Sequence, residues 1–240
     1  MIRSERGSTL IVVLMILLLI MIVGTLAIRQ SISSLKLVTN NQIQTLLLQS
    51  SDAALLALQN PNNTPDIAAA NGIVGFFKNE NHKDAELVFC FSDTNPFELS
   101  KASYLLNSNE FNSLGGGVCN PSSEDDTASK SGGRKQVVTQ VYIKRATTPT
   151  TPFADLARGT EVLGAKTEDN IRLQVYVVSV MKGLVSDDAL FKVDSDIKKG
   201  CLRKSIDDVE LCLKQNSEKP IYNMQVAEYR FLSDFEPSGS

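Results

Sequence analysis

The chain has 240 residues, enough for one sizeable domain with an added helix or for two small domains. Hydrophobic residues make up 42% of it and the formal net charge is -3; no dense basic run carries interleaved aromatics, so a nucleic-acid surface is not expected. One histidine and four cysteines without close Cys-x-x-Cys pairs give no basis for a metal, and no cofactor is expected.

Residues 1–7 form a short polar leader with Arg3, Glu5 and Arg6, ending at Gly7-Ser8. The run Leu10–Ile28 then carries no charge. At about 1.5 Å per residue it crosses most of a hydrocarbon core of about 30 Å, with Leu10, Ile11, Val12, Leu14, Leu17, Ile20 and Val23 among its apolar side chains. A secretory signal has a shorter apolar region and a small-x-small site after it, whereas the Gly-Ser junction here lies before the run. Arg29 and Lys36 follow the run as closely as Arg3 and Arg6 precede it, so charge alone orients it weakly.

From Arg29 to about Gln59 the helix is expected to continue with a changed character. Ile32, Leu35, Ile43, Leu46, Leu47, Ala54 and Leu58 recur at spacings of three, four or their sums, one face of an amphipathic helix. Asn60-Pro61-Asn62-Asn63-Thr64-Pro65 stops it. The expected organisation is therefore a leader over 1–7, a long helix over 8–59 (apolar over 10–28, amphipathic over 29–59) and a head over 60–240 joined by the helix face from about Ile32 onward.

The leader ending in Gly7, the run Thr9–Ile20 and the uninterrupted helix resemble a type IV pilin. More narrowly, the residues around Arg29, Lys36-Leu37-Val38-Thr39-Asn40 and Gln49-Ser50-Ser51-Asp52-Ala53-Ala54-Leu55 are similar to the PilX-type minor pilins, which usually have Glu at the place of Asp52. The resemblance spans roughly residues 5–59. It implies an α+β pilin fold, a long helix packed on a mostly antiparallel sheet with insertions, and a structural role without enzymatic activity. It further implies cleavage between Gly7 and Ser8 by a prepilin peptidase, methylation of the new Ser8 amine, and use of residues 10–28 first as a single inner-membrane span and then as filament core. Where major pilins carry Glu as the fifth mature residue, this chain has Val12. That Glu neutralises a neighbour's terminal amine in an apolar core, so its absence suits a subunit at the tip. The implied function is priming of pilus assembly, supporting adhesion, twitching motility or DNA uptake. The implied partners are other minor pilins, the major pilin and a large tip adhesin, with an extracellular or periplasmic head. A tip pseudopilin of a type II secretion or competence system, and a membrane-anchored periplasmic enzyme or sensor domain, are the alternatives.

Beyond residue 65 the residues are read alone. Ala85–Ser92, with Leu87-Val88-Phe89-Cys90-Phe91, is a buried-strand candidate. Glu98–Leu114 reads as a helix with Ala102, Leu105, Leu106 and Phe111 toward the core, ended by Gly115-Gly116-Gly117, whose glycines read as flexibility. Gln136–Arg145 alternates and reads as a half-buried strand; Ile171–Val180 and Gln225–Leu232 are further strands. The insertion 184–223 includes a helix start at Ser205, with Asp208 placed to complete a capping box. It and the 115–135 loop are the expected contact surfaces.

Cys90, Cys119, Cys201 and Cys212 all lie beyond the apolar run, and an even count in a translocated domain favours two disulfides. Of three connectivities, Cys90–Cys119 with Cys201–Cys212 closes the shortest loops, each link contributing roughly 3 kcal/mol. Eleven residues along a straight helix span about 16 Å, so Cys201 is expected in a turn folding back on a helix that carries Cys212. Ser33-x-x-Lys36 and Ser195-x-x-Lys198 match a nucleophile motif without its context. Asp187, Asp188, Asp194 and Asp196 fail as a calcium loop because Lys198 stands where an oxygen ligand is needed. His82 reads as a loop residue.

Overall fold

The computed structural model describes residues 6–91, 97–106, 110–114, 116–119, 137–146, 171–191, 200–216 and 222–230. A single helix, α1 (Arg6–Leu58), opens the chain. Two short helices follow, α2 (Thr64–Ala68) and α3 (Ile73–Lys78), then the strands β1 (Glu86–Cys90), β2 (Ser103–Leu106), β3 (Glu110–Ser113), β4 (Val137–Arg145) and β5 (Arg172–Met181). The short helix α4 (Asp187–Phe191), the helix α5 (Ile206–Gln215) and the strand β6 (Tyr222–Arg230) complete it. Two compact units divide the chain, Met1–Ile43 and Gln44–Ser240. The first is helical throughout its described residues, with the side chains of Leu10–Ile28 exposed.

In the second unit the six strands form one antiparallel sheet in the order β3-β2-β1-β4-β5-β6. The long helix and this sheet make the fold α+β. β4 lies centrally, pairing along its length with β5 and through Gln140–Lys144 with β1. Its odd-numbered residues Val141 and Ile143 join Leu87, Phe89, Leu173, Val175 and Val177 in a core that includes Ala54 and Leu58 of α1. Its even-numbered residues Val138 and Tyr142 join Val88, Val178 and Val180 in a second core closed by α4, the turn Cys201–Arg203 and α5. The sheet is thus covered on both faces. β4 is buried on both sides, not on one, because α4, the turn Cys201–Arg203 and α5 lie over the face that alternation alone assigns to solvent.

Burial along α1 sets in later than its apolar periodicity suggests. Ile32 and Leu35 are exposed, Ile43 is half-buried, and Leu47, Ser50, Ser51, Ala54 and Leu58 are buried. The small side chains at 50, 51 and 54 let the helix backbone approach the sheet. Four buried hydroxyls close the contact in a chain: Ser50 Oγ to Thr139 Oγ1 at 2.6 Å, Thr139 Oγ1 to Ser179 Oγ at 2.9 Å, and Ser179 Oγ to Ser51 Oγ at 2.8 Å. Asp52, one residue on, accepts from Gln225 Nε2 of β6 at 2.8 Å. Three successive helix residues therefore address three successive strands.

The expected helix over 98–114 is not formed. A turn at Leu99–Lys101 leads into the hairpin β2–β3, which pairs with β1. Ser103 and Leu105 are buried while Tyr104 and Leu106 are half-buried, a period of two that the free edge of β1 selects over a period of 3.6. Gly117 is not a flexible element either. A Cβ there would sit 2.0 Å from the Val88 carbonyl oxygen and 2.3 Å from the Ser103 nitrogen, and its own N–H donates to Ser103 Oγ at 2.9 Å. The backbone passes too close for a side chain. The strand expected over Gln225–Leu232 begins earlier, at Tyr222, and its Phe231-Leu232 end lies outside the described residues.

Replacing Thr139 by Val keeps the shape of β4 but removes the middle of the hydroxyl chain. Ser50 and Ser179 each lose a buried partner, so the full chain in detergent should lose about 1–2 kcal/mol in urea unfolding with an unchanged slope. An unchanged midpoint would mean that the hydroxyls carry no net stability.

Candidate functional site

The strongest feature for interaction is the first part of α1. Its backbone is helical through Gly7 and Ser8, and no charged side chain occurs between Arg6 and Arg29. Leu10, Ile11, Leu14, Leu17, Ile20 and Val23 are exposed, as is Val12 at 53%. The segment is long and apolar enough to cross a membrane. Its one hydroxyl beyond residue 9, Thr25 Oγ1, donates to the Ile22 carbonyl at 2.9 Å and so needs no water. An apolar surface this large is an interface, with lipid or with other helices.

The second structured surface is the layer formed by α4, the turn Cys201–Arg203 and α5. α5 buries Ile206, Val209, Cys212 and Leu213 and turns Asp207, Asp208, Glu210, Leu211 and Lys214 outward. Its N-terminus is capped from the sheet. Glu86 of β1, buried at 3% exposure, accepts the Ile206 N–H at Oε1 and the Ser205 hydroxyl at Oε2, both at 2.9 Å. Ser205 makes no side-chain cap to the helix, so the capping box expected with Asp208 is replaced by a carboxylate from a distant strand. Lys144, paired with Glu86 in the β1–β4 register, lies 3.0 Å from Glu86 Oε2 and 2.8 Å from Asp207 Oδ2. Burial raises the Glu86 carboxyl above the usual carboxylate range, against the pull of Lys144 and the donors from Ile206 and Ser205. For Lys144, burial works against the charge, but the bonds to Asp207 and Glu86 outweigh it and raise the pKa. At the far end, Tyr222 of β6 donates to Glu210, which also accepts from Lys214.

Between these ends lies a fully buried amide. Gln140 Nε2 donates to the Leu202 carbonyl at 2.7 Å and to Tyr142 Oη at 2.6 Å, and Gln140 Oε1 accepts the Cys119 N–H at 3.1 Å. Tyr142 Oη donates to the same Leu202 carbonyl at 3.1 Å. Burial, and secondarily the Glu86 charge, holds the Tyr142 phenol well above its usual range, so it stays a donor. Cys90 is bonded to Cys119 and Cys201 to Cys212. Cys201 lies in the short turn before α5, which brings it to 5.4 Å (Cα–Cα) from Cys212.

Among the described residues no cluster of His, Cys, Asp and Glu could hold a metal. His82 stacks on Phe76 with ring centroids 4.3 Å apart, beside Tyr104. A cleft of ≈ 320 Å³ is lined by Asn63, Asp66, Asn71, Phe97 and Glu98 among others. Ser33 and Lys36 sit on α1, while Ser195, Lys198, Asp194 and Asp196 lie outside the described residues, as does most of the 115–135 loop. The residues that sequence reasoning passed over are Glu86, Gln140 and the hydroxyls of Ser50, Ser51, Thr139 and Ser179. For Gln140 the available signal was a polar residue inside a strand pattern, on the face that alternation had given to solvent; Glu86, Thr139 and Ser179 lie in stretches read as strands, and Ser50 and Ser51 on the long helix.

The family model described as PilX N-terminal matches residues 6–56. That match lies within the long helix, from the cationic leader end through Ser50-Ser51-Asp52, and over that stretch the chain is similar to the type IV pilus minor pilins of the PilX type. Neither the curated proteins nor the solved structures include a match to this chain.

A carboxyl whose folded-state pKa lies above its unfolded value holds its proton more tightly when folded. Its destabilising effect is therefore full at neutral pH and fades as pH falls through the raised value. Lys144→Met leaves Glu86 buried without its cation and should cost about 2 kcal/mol at pH 7, at the low end for such pairs because Lys144 is a quarter exposed. The difference from the parent chain should shrink as the pH is lowered from neutral through the raised Glu86 value. A difference that stays constant with pH would show that Glu86 is not the group responsible.

Proposed function

We propose that this chain is a minor pilin that helps prime a type IV pilus and stays at or near the filament tip. The observation that carries the reading is the match of residues 6–56 to the PilX N-terminal family, on a helix that exposes an uncharged apolar surface from Leu10 to Ile28. The chain begins its use with cleavage by a prepilin peptidase between Gly7 and Ser8. Leu10–Ile28 holds the processed subunit in the inner membrane, where about thirty ångströms of hydrocarbon match its length. The same side chains then exchange lipid for neighbouring helices as subunits are added.

Val12 supports a tip position. A shaft subunit enters between neighbours above and below, and a buried terminal amine there needs a carboxylate partner. Val12 offers none, which suits a subunit with no amine presented from above. The partners are other minor pilins, the major pilin below and a large adhesin above, and the head works on the extracellular side. Support for adhesion, twitching motility or DNA uptake follows from the filament, not from chemistry in the head. No catalytic group is invoked.

Intact-mass and N-terminal peptide analysis of the chain purified from membranes should give a mature N-terminus at Ser8, carrying a methyl group. An intact Met1, or cleavage after Ile28, would overturn the pilin reading and favour a simple membrane anchor. Val12→Glu should leave the head folded and let labelled subunits enter the shaft more readily. Tip-only labelling unchanged by this substitution would remove Val12 from the argument for a tip position. Co-purification with secretion-system subunits in place of pilus subunits would favour a pseudopilin.

A further inference from the structure

We infer that Gln140 and Tyr142 couple the two disulfides of the head, so that the oxidised head forms and opens as one unit. The inference stands on the second core alone and does not depend on the pilus reading. Cys90 lies directly opposite Gln140 in the β1–β4 register, and its partner Cys119 donates its N–H to Gln140 Oε1. The other end of the same amide donates to the carbonyl of Leu202, the neighbour of Cys201, and Tyr142 donates to that carbonyl as well. One buried side chain therefore holds a residue of one disulfide and the residue beside the other.

The coupling follows from where the polar atoms are. Gln140 and Tyr142 have no exposed surface. If the Cys119 segment moves away, Gln140 Oε1 loses its N–H partner in a place where an unmet acceptor is costly. The amide can recover by turning or by admitting water, and either change disturbs its bond to Leu202. Loss of the layer that carries Leu202 acts in reverse on Cys119. Cys119, Cys201 and Cys212 are nearly inaccessible while Cys90 is partly exposed, so a reductant reaches the Cys201–Cys212 bond only after local opening, and the rate of its reduction reports that opening. Each reduction consumes one dithiothreitol, whose two thiols supply the electrons and protons and close to a cyclic disulfide, leaving two cysteine thiols.

The experiment uses the full chain in detergent, with timed dithiothreitol reduction, alkylation of released thiols and mass spectrometry of each cysteine pair. In the parent chain the second bond should be reduced faster than the first, so species with a single remaining bond stay a minor fraction. In Cys90→Ser/Cys119→Ser, reduction of Cys201–Cys212 should be accelerated about tenfold, the scale of one buried hydrogen bond. With Gln140→Met added to both the parent and that variant, the acceleration should fall below about threefold. Val141→Ala, on the same strand but facing α1, is the matched destabilising control and should leave the tenfold ratio in place. Accumulation of a singly bonded species as the main product from the parent chain would overturn the inference, and this holds even if the cysteine variants fail to fold. An acceleration that survives Gln140→Met would overturn it as well.

Discussion

The head depends on one constraint: β4 is buried on both faces, and each face must be closed by a different part of the chain. A nine-residue strand with neighbours on both edges cannot be left half wet when Val138 and Tyr142 point one way and Val141 and Ile143 the other. The C-terminal turns of α1 close the first face. Between β5 and β6, the helix α4, the turn Cys201–Arg203 and α5 close the second. The helix α5 is ten residues long, below the length at which an isolated helix is stable in water, so it owes its order to the sheet and to the Cys201–Cys212 bond.

Both interfaces combine apolar packing with a small polar set placed at the centre. On the α1 side the set is four hydroxyls, each small enough to let helix and sheet approach closely. On the insertion side it is a carboxylate, an amide and a phenol. Apolar residues alone would allow α1 to slide by a turn along the sheet, because Leu47, Ala54 and Leu58 are separated by close to whole helical turns. Hydroxyls that must meet Thr139 and Ser179 fix one register, since any other leaves buried oxygens without partners. Glu86 does the same for α5: a helix N-terminus can sit on that carboxylate in only one position.

The parts of this structure that sequence makes legible are those governed by a single local pattern. The apolar run from Leu10, the stop at Asn60–Pro65, and β1 and β5 all follow from periodicity and from residues that break it. What escaped depends on partners far along the chain. The stretch from Ser103 to Ser113 has apolar spacings that serve a helix or a hairpin, and only the free edge of β1 decides between them. The even-numbered residues of β4 look like a solvent face because Gln140 and Lys144 are polar, yet Gln140 is fully buried by a segment some sixty residues later. Ser205 reads as a helix cap, and its hydroxyl is taken by Glu86, 119 residues earlier. In each case the local reading was reasonable and a long-range contact overrode it.

One helix meets two different solvents, and its sequence records the change. From Gly7 to Ile28 it carries no charged side chain, and the exposed apolar side chains from Leu10 onward need lipid or other helices around them. From Leu47 to Leu58 it needs a sheet on one side and water on the other, and Asp52, with Gln59 just past the helix end, lies on the flank where β6 lies. The residues between, with Lys36, Asn40, Asn41 and Gln42, belong to neither regime. Within the apolar part a single carboxylate would be expensive unless an amine came to meet it, so the identity of residue 12 is a statement about neighbours. Val12 is the choice that is stable without one.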